Sequence, residues 1–327
     1  MLLNIIITIV GAVFVLLGAD RLTDGAVALA RRFGISELVI GLTILAMGTS
    51  LPEFIVSLMA SLDGAPAMGI GNVVGSNLFN TLMIVGVTAL VAPIAVSPST
   101  VGKDIPFSLL ASVILAALCL DTMLMPAASA SAALPAQADI ISRGDGIALL
   151  GFFTVFMAYT FAIARGGDDD VTPSDMPLWR VALYIVLGLA GLILGGELFV
   201  QGASEIARAA GVSEAVIGIT LVAGGTSLPE LATSIVAARK GQSALAIGNV
   251  IGSNLFNIFW ILGVCSVVTP MPVAGITWVD FSMLVASGIL FWFFARTRLR
   301  IVRWEGAILV AAYAAYLSYL IANSLNA

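Results

Sequence analysis

Residues 34–87 read GISELVIGLTILAMGTSLPEFIVSLMASLDGAPAMGIGNVVGSNLFNTLMIVGV, and residues 211–264 repeat this stretch without a gap at an offset of 177 positions. The two copies share 31 identical residues in 54 positions. The similarity extends weakly upstream, where Asp20 aligns with Glu197. The chain therefore contains one structural unit that occurs twice.

The composition is that of a chain that lies mostly in lipid. Of the 327 residues, 60% are hydrophobic and 10% are charged, and the mean hydropathy is +1.10. A spanning helix needs about 20 mainly apolar residues. Ten stretches meet that requirement, near residues 2–29, 36–62, 67–92, 104–122, 145–164, 179–209, 213–238, 243–268, 278–295 and 304–323.

These apolar stretches are continuous, which favours helices over the alternating strands of about 10 residues that build a membrane β-barrel. Five helices fall in residues 1–165 and five in residues 179–327, and a polar, acidic linker joins them at 166–178. Because five is odd, the second copy crosses the membrane in the opposite sense. We predict an all-α integral membrane protein with ten transmembrane helices arranged as two inverted five-helix repeats.

Basic residues predict the orientation, because lysine and arginine accumulate in cytoplasmic loops. With the N-terminus outside, eleven of them fall in or beside cytoplasmic loops and two, Arg143 and Arg208, fall outside. Both termini are therefore expected outside the cytoplasm. The eleven residues are Arg31, Arg32, Lys103, Arg165, Arg180, Arg239, Lys240, Arg296, Arg298, Arg300 and Arg303.

The chain has no histidine, which excludes histidine metal sites and histidine proton relays. Its two cysteines, Cys119 and Cys265, lie in apolar stretches without ligand spacing and are expected to be small buried side chains. Carboxylates are left to carry any ion chemistry. The sequence predicts no cofactor, no enzymatic activity and no nucleic-acid partner, and it leaves protein partners and the oligomeric state open.

The first repeated motif, AMGTSLPE at 46–53 and AGGTSLPE at 223–230, lies inside apolar helices. Pro52 and Pro229 cannot donate to the carbonyl four residues back, and adjacent glycines weaken the same turn. Broken helices at membrane depth are tolerated where they line a cavity or are buried in protein. Freed carbonyls are therefore candidate cation ligands near Ala46, Thr49, Ala223 and Thr226.

Each copy of this motif carries a carboxylate at membrane depth. Thr49 and Glu53 share a helix face at i, i+4 spacing, as do Thr226 and Glu230. A carboxylate in the membrane is expensive and indicates a functional site; a protonated glutamate bonded to a neighbouring helix is the structural alternative. The two glutamates are expected to face each other across a twofold pseudo-axis.

The second repeated motif, GNVVGSNLFN at 71–80 and GNVIGSNLFN at 248–257, supplies neutral oxygens. Its glycines permit close helix contact. Ser76 and Asn80 share a face, as do Ser253 and Asn257. Whether the other asparagines bind the ion or bond helix to helix stays open, and these are Asn72, Asn77, Asn249 and Asn254.

Hard oxygen ligands without nitrogen or sulfur suit Ca²⁺, Na⁺ or Mg²⁺. Because Mg²⁺ resists losing its water, a dehydrated site in mid-membrane favours Ca²⁺ and Na⁺. Two carboxylates balance one Ca²⁺, two Na⁺ or two H⁺, so competition for a single site predicts antiport of Ca²⁺ against a monovalent cation.

At these paired motifs the sequence resembles the sodium/calcium exchanger family of cation/calcium antiporters, particularly its short prokaryotic members, over essentially the whole chain. The resemblance implies ten helices, a location in a prokaryotic inner membrane, and Glu53 and Glu230 as the central Ca²⁺ ligands. It implies alternating access by sliding of the first helix of each copy. It also implies that Na⁺ binding involves Thr49, Ser50, Ser76, Thr226, Ser227 and Ser253 together with the carbonyls of Ala46 and Ala223.

One position departs from the sodium-coupled members of this family, which carry aspartate where this chain has Asn257. The site thereby loses one negative charge. We expect fewer Na⁺ per Ca²⁺, namely two, and nearly electroneutral transport.

Three other functions remain as alternatives. The first is a Ca²⁺/H⁺ exchanger or an antiporter of another divalent cation, although the family's proton-exchanger signature, Gly-Asn-Ala followed closely by Glu, is absent. The second is an intramembrane protease, for which the chain lacks histidine and a Gly-x-Gly-Asp motif. The third is a passive channel. Asp20 and Glu197 either touch the ion path or anchor loops, and we favour anchoring.

Overall fold

The computed structural model describes residues 1–124, 139–164, 175–212, 217, 220–221 and 223–326, and it is almost entirely helical. The first half of the chain contains α1 (Leu2–Phe33), α2 (Glu37–Thr49), α3 (Leu51–Leu62), α4 (Ala67–Val91), α5 (Thr100–Cys119), α6 (Asp121–Leu124) and α7 (Arg143–Ala164). The second half contains α8 (Leu178–Ala209), α9 (Ala223–Gly225), α10 (Leu228–Arg239), α11 (Ser243–Val268), α12 (Trp278–Arg298) and α13 (Arg303–Asn326).

The structure confirms the predicted helical architecture with several membrane-spanning helices. Within the described ranges, eight helices are long and apolar enough to cross a membrane, and the bent pair α2 and α3 makes up to nine. The eight are α1, α4, α5, α7, α8, α11, α12 and α13. The predicted span at 213–238 falls partly on residues outside the described ones, so the number of ten stays a prediction.

The helix predicted over 36–62 is broken into two helices. Ser50 lies between α2 and α3 with φ −84° and ψ 10°, and the helix axes differ by 47° across this break. The cause is Pro52, which has no N–H to donate and is accommodated in the first turn of α3. Pro229 occupies the same place in α10, two residues after Ser227.

Helices α4 and α11 form the centre of the bundle. Both are largely buried, whereas α1, α7, α8 and α13 present most of their apolar surface outward, as expected for helices that face lipid. Each central helix contains a π-helical turn at the equivalent place, Phe79–Ile84 and Phe256–Ile261. Such wide turns are frequent at functional sites because they re-aim the side chains around them.

Helices α1 and α8 pack antiparallel along most of their length at a repeated glycine contact. A Cβ atom added at Gly18 would lie 2.7 Å from the backbone nitrogen of Leu192, and one at Gly195 would lie 2.7 Å from that of Val15. The backbones therefore touch, as in small-residue contacts between membrane helices. We call these residues the glycine seam; they recur every seven positions as Gly11, Gly18, Gly25, Gly188, Gly195 and Gly202.

Glycines of the second motif bring α11 against α2. A Cβ atom at Gly252 would lie 2.5 Å from the carbonyl oxygen of Leu42, and one at Gly248 would lie 2.6 Å from that of Leu38. This confirms the predicted close contact for the second copy. The equivalent contacts of Gly71 and Gly75 would fall on residues 215 and 219, outside the described residues.

Short extended segments tie the two halves together at the helix ends. Strand β1 (Ile94–Ala95) pairs antiparallel with β4 (Arg300–Ile301), and β2 (Ile140–Ile141) pairs with β3 (Met271–Pro272). Beside these strands, the Arg143 side chain donates to the Val267 carbonyl (3.0 Å) and Arg303 donates to Leu90 (3.1 Å), capping α11 and α4.

Other predictions fall at the edges of these elements. The predicted loop at 122–144 is described only at its two ends, and most of the predicted linker at 166–178 lies outside the described residues. Cys119 and Cys265 are buried free thiols, as predicted.

The glycine seam predicts a strong position dependence for glycine substitutions. Gly18→Ala should lower the free energy of unfolding by about 1–3 kcal/mol, because its Cβ atom meets backbone that cannot move independently. Gly151 of α7 has open space around its Cβ position, so Gly151→Ala serves as the matched control and should be neutral or slightly stabilising. Thermal unfolding of the purified protein in detergent measures both, and equal shifts would contradict the seam.

Candidate cation site

Two buried carboxylates lie at the centre of the bundle and are held by each other's motif. Glu53 is 0% exposed and Glu230 is 1% exposed. The Ser227 hydroxyl donates to Glu53 Oε1, and the Ser50 hydroxyl donates to Glu230 Oε1, each at 2.8 Å. Each glutamate therefore accepts a hydrogen bond from the serine at the helix break of the other copy. These two bonds bring the two copies of the motif together.

The helix breaks explain why carboxylates are tolerated here. Glu53 lies in the first turn of α3 and Glu230 in the first turn of α10. The first N–H groups of a helix lack acceptors within the helix, and the N-terminus carries a partial positive charge. A proline at the start of each helix and a glutamate one position later place a carboxylate at this end of the dipole.

Each threonine of the motif lies beside the glutamate of the other copy. The Thr49 hydroxyl is 3.0 Å from the Leu45 carbonyl oxygen and 3.2 Å from Asn249 Oδ1, and it also faces Glu230. Thr226 faces Glu53 in the same way.

The two alanines of the predicted ligand set, Ala46 and Ala223, were expected to offer freed backbone carbonyls. The Ala46 carbonyl is not freed by the break, because it accepts from the Ser50 N–H at 3.0 Å and has the Thr49 hydroxyl 3.3 Å away. Ala223 is the first residue of α9.

Six buried side-chain oxygens of the predicted ligand set neither accept nor donate a hydrogen bond among the residues that the structure describes. They form three pairs related by the 177-residue offset, and each pair takes one oxygen from each copy. Within the described ranges there is no cluster of three or more His, Cys, Asp or Glu side chains, so the oxygens around the two carboxylates are neutral. The six atoms are Glu53 Oε2, Glu230 Oε2, Ser76 Oγ, Ser253 Oγ, Asn80 Oδ1 and Asn257 Oδ1.

Asparagines at the start of the second motif brace the glutamate backbone. Asn72 Nδ2 donates to the Glu53 carbonyl (3.2 Å) and to Ser57 Oγ (2.9 Å). Asn249 makes the equivalent bonds to the Glu230 carbonyl (3.4 Å) and to Ser234 Oγ (3.1 Å). These two asparagines therefore bond helix to helix.

Ser57 and Ser234 were missing from the predicted site. The signal for them was present in the sequence, since they are identical in the two copies and lie one turn after the glutamates.

The remaining asparagines also bond helix to helix, across α4 and α11. Asn77 Nδ2 donates to the Asn254 backbone carbonyl (3.2 Å), and Asn257 Nδ2 donates to Asn77 Oδ1 (3.0 Å). Asn80 Nδ2 donates to Asn254 Oδ1 (3.1 Å), and Asn254 Nδ2 donates to Thr81 Oγ1 (2.9 Å). We call these five residues the amide network.

A cavity of about 720 Å³ opens between α8 and the helix starts that carry the glutamates. Its wall includes Pro52, Glu197, Thr226 and Pro229, so it reaches the residues beside both carboxylates. Glu197 thus lines a cavity next to the site.

Asp20, the counterpart of Glu197, anchors a loop as predicted. Lys240, which follows α10, forms ion pairs with Asp20 (2.6 Å) and Asp24 (2.7 Å) of α1. Burial lowers the pKa of Lys240, and the two carboxylates raise it by more, so its pKa lies above the ordinary value. The ion pair therefore ties α1 to α10 at neutral pH.

Comparisons with known proteins find similarity over nearly the whole chain. A sequence profile described as "Sodium/calcium exchanger protein" matches residues 3–162 and 180–322. The chain is 37% identical to CaxA of Alkalimonas amylolytica, whose name marks it as a proposed antiporter, over 99% of this chain and 100% of that protein. It is 33% identical to sodium/calcium exchanger MaX1 of Methanosarcina acetivorans, over 97% and 98% of the two chains. A solved structure of the sodium-calcium exchanger NCX_Mj matches with a TM-score of 0.80 and 34% identity, over 98% and 99% of the two chains.

The two bracing asparagines give a matched pair for mutation. Asn249 is fully buried, so Asn249→Ala leaves its partners without water and should lower the free energy of unfolding by about 1–3 kcal/mol. Asn72 lines a second cavity of about 230 Å³, where water can replace the lost amide, so Asn72→Ala should cost less. Thermal unfolding of the two variants measures this difference. A larger fall in melting temperature for Asn72→Ala than for Asn249→Ala would contradict the prediction.

Proposed function

Because the chain belongs to the sodium/calcium exchanger family, we propose that it is a secondary active antiporter that exchanges Ca²⁺ for Na⁺ at a carboxylate site in mid-membrane. The family resemblance predicted from the paired motifs is confirmed. The family and the matched structure support cation/Ca²⁺ antiport, with Na⁺ and Ca²⁺ as substrates.

The six unpartnered oxygens are the observation that carries the proposal for the site. A buried polar atom without a partner costs roughly 1–3 kcal/mol, and native structures contain few of them. Six such atoms in three repeat-related pairs would be satisfied together by a bound cation. Carboxylate, amide and hydroxyl oxygens form the irregular shell that Ca²⁺ accepts.

Charge balance supports exchange at one site. Glu53 and Glu230 supply two negative charges when ionised, which match one Ca²⁺ or two Na⁺. No lysine or arginine of the described chain forms an ion pair with either glutamate. Leaving the site empty and doubly charged in a buried place is unfavourable, so one kind of ion leaves efficiently only when the other replaces it.

Alternating access by movement of α1 and α8 is supported by how these helices pack. The glycine seam joins them to each other along their length. Beside α8 lies the large cavity that reaches residues next to both glutamates, whereas the corresponding side of α1 is tied to α10 through Lys240. In the proposed cycle α1 and α8 move as one body over the glutamate-bearing helices and expose the site to each side in turn.

An inverted arrangement of the two copies is part of the proposal. Reciprocal contacts support it, namely the serine and glutamate pairs, the two strand pairs and the two arginine caps. With both termini outside the cytoplasm of a prokaryotic inner membrane, the large cavity faces outward and the Lys240 ion pairs face inward.

Transport is tested by uptake of radioactive calcium into proteoliposomes that contain the purified protein. Uptake should require an outward Na⁺ gradient, and both Glu53→Gln and Glu230→Gln should abolish it, because each removes half of the charge that Ca²⁺ needs. Thr160→Val, which alters a buried hydroxyl bonded within its own helix, is the control and should transport normally. Uptake driven only by an outward H⁺ gradient would assign the counter-ion to protons, and uptake without any gradient that survives both glutamine substitutions would refute the site.

Asn257 predicts a second transport property, the response to voltage. With two carboxylates and two neutral asparagines, exchange of two Na⁺ for one Ca²⁺ moves no net charge. Ca²⁺ accumulation at equilibrium should then be independent of a potassium diffusion potential imposed with valinomycin. Exchange that moved one net charge would change accumulation roughly 50-fold per 100 mV, since that charge is worth about 2.3 kcal/mol.

A further inference from the structure

The amide network contains one bond whose direction is fixed by chemistry. Asn77 Nδ2 faces the backbone carbonyl of Asn254 at 3.2 Å, and a carbonyl oxygen only accepts. The amide of Asn77 therefore has a single orientation, with its NH₂ group towards Asn254 and its Oδ1 towards Asn257.

This orientation dictates what position 257 presents to the cation. Asn77 Oδ1 is an acceptor, so the atom of residue 257 that meets it at 3.0 Å has to be a donor. Asn257 supplies its NH₂ group there, and its Oδ1 is thereby turned away and left without a partner in the protein. Residue 77, on another helix, thus selects the oxygen of Asn257 as the atom that faces the site.

The other half of the network is less constrained. Asn254 holds Asn80 in the same way, with Nδ2 of Asn80 on Oδ1 of Asn254. Nδ2 of Asn254 donates to the Thr81 hydroxyl, a group that can either donate or accept a hydrogen bond. Isoleucine stands at position 258, the counterpart of Thr81, so no hydroxyl group is available there to donate or accept a hydrogen bond.

We propose that Asn77 and Asn254 are positioning residues that orient the amide oxygens of Asn80 and Asn257 towards the cation, and that Asn77 requires a hydrogen-bond donor at 257, which an amide supplies and an ionised carboxylate does not. The proposal rests on the proposed function of the site. It follows that the two repeat-related positions differ in their tolerance of a carboxylate. At 80, Asn254 can reverse its amide while Thr81 donates to it, whereas at 257 an ionised aspartate would face Asn77 Oδ1 with no donor.

A first experiment measures this asymmetry without any ligand, by thermal unfolding in calcium-free detergent solution. At a pH high enough to ionise the new carboxyl group, Asn257→Asp should lower the melting temperature by about 5 °C, because it opposes a buried charge to an acceptor, and Asn80→Asp should lower it much less. Adding Asn77→Ala to Asn257→Asp should recover part of the loss, since the opposing oxygen is gone. Equal shifts for the two aspartate variants, with no recovery in the double variant, would overturn the proposal.

A second experiment measures equilibrium binding of radioactive calcium to the purified protein. Asn77→Ala should weaken Ca²⁺ binding about tenfold, because the freed amide of Asn257 can then turn its NH₂ group into the site, and Thr160→Val should bind as the unaltered chain does. Normal Ca²⁺ affinity in Asn77→Ala would overturn the positioning role while leaving the proposed function intact. Absence of Ca²⁺ binding in the unaltered chain would instead refute the proposed function, and with it the cation-directed part of this inference.

Discussion

The structure depends on how two carboxyl groups are accommodated in an apolar bundle without a basic partner. Glu53 and Glu230 are almost completely buried, and each has one oxygen bonded to a serine and one without a partner among the described residues. An isolated charge in such a place is unfavourable by many kcal/mol. The rest of the fold reduces that penalty with partial charges, and in the proposed function a bound cation removes the remainder.

The reduction comes from a sequence of local constraints. The proline before each glutamate breaks the helix, and the break puts the carboxylate at a helix N-terminus, where the dipole favours it. The broken backbone needs protein around it at membrane depth, and α4 and α11 provide this by close packing. Gly248 and Gly252 allow that approach, and Asn72 and Asn249 fix the glutamate backbones from the same two helices.

Much of this arrangement was predictable because duplication marks it. Polar residues that stay identical in both copies of an apolar repeat are not explained by loops or lipid contacts, so the glutamates, serines and threonines were accessible from the sequence. Ser57 and Ser234 satisfied the same criterion and were missed, because their role depends on an asparagine of another helix. The helix break at Ser50 and the roles of Asn77 and Asn254 depend on backbone geometry and bond direction, which residue spacing does not contain.

Differences between the two copies matter for transport. If the two halves of a transporter were equivalent, its inward-open and outward-open states would have the same free energy. Lys240 and Asp24 ion-pair in one half, whereas their counterparts are Asp63 and Gln201. An ion pair therefore holds α1 on α10, while the corresponding side of α8 borders the large cavity. In the proposed cycle this single lysine favours the state that is closed towards the inside, and replacement of one ion by another must overcome that preference. In that proposed cycle the two repeat-related motifs would set which ions bind, and the differing helix ends would set which side of the membrane the ions reach first.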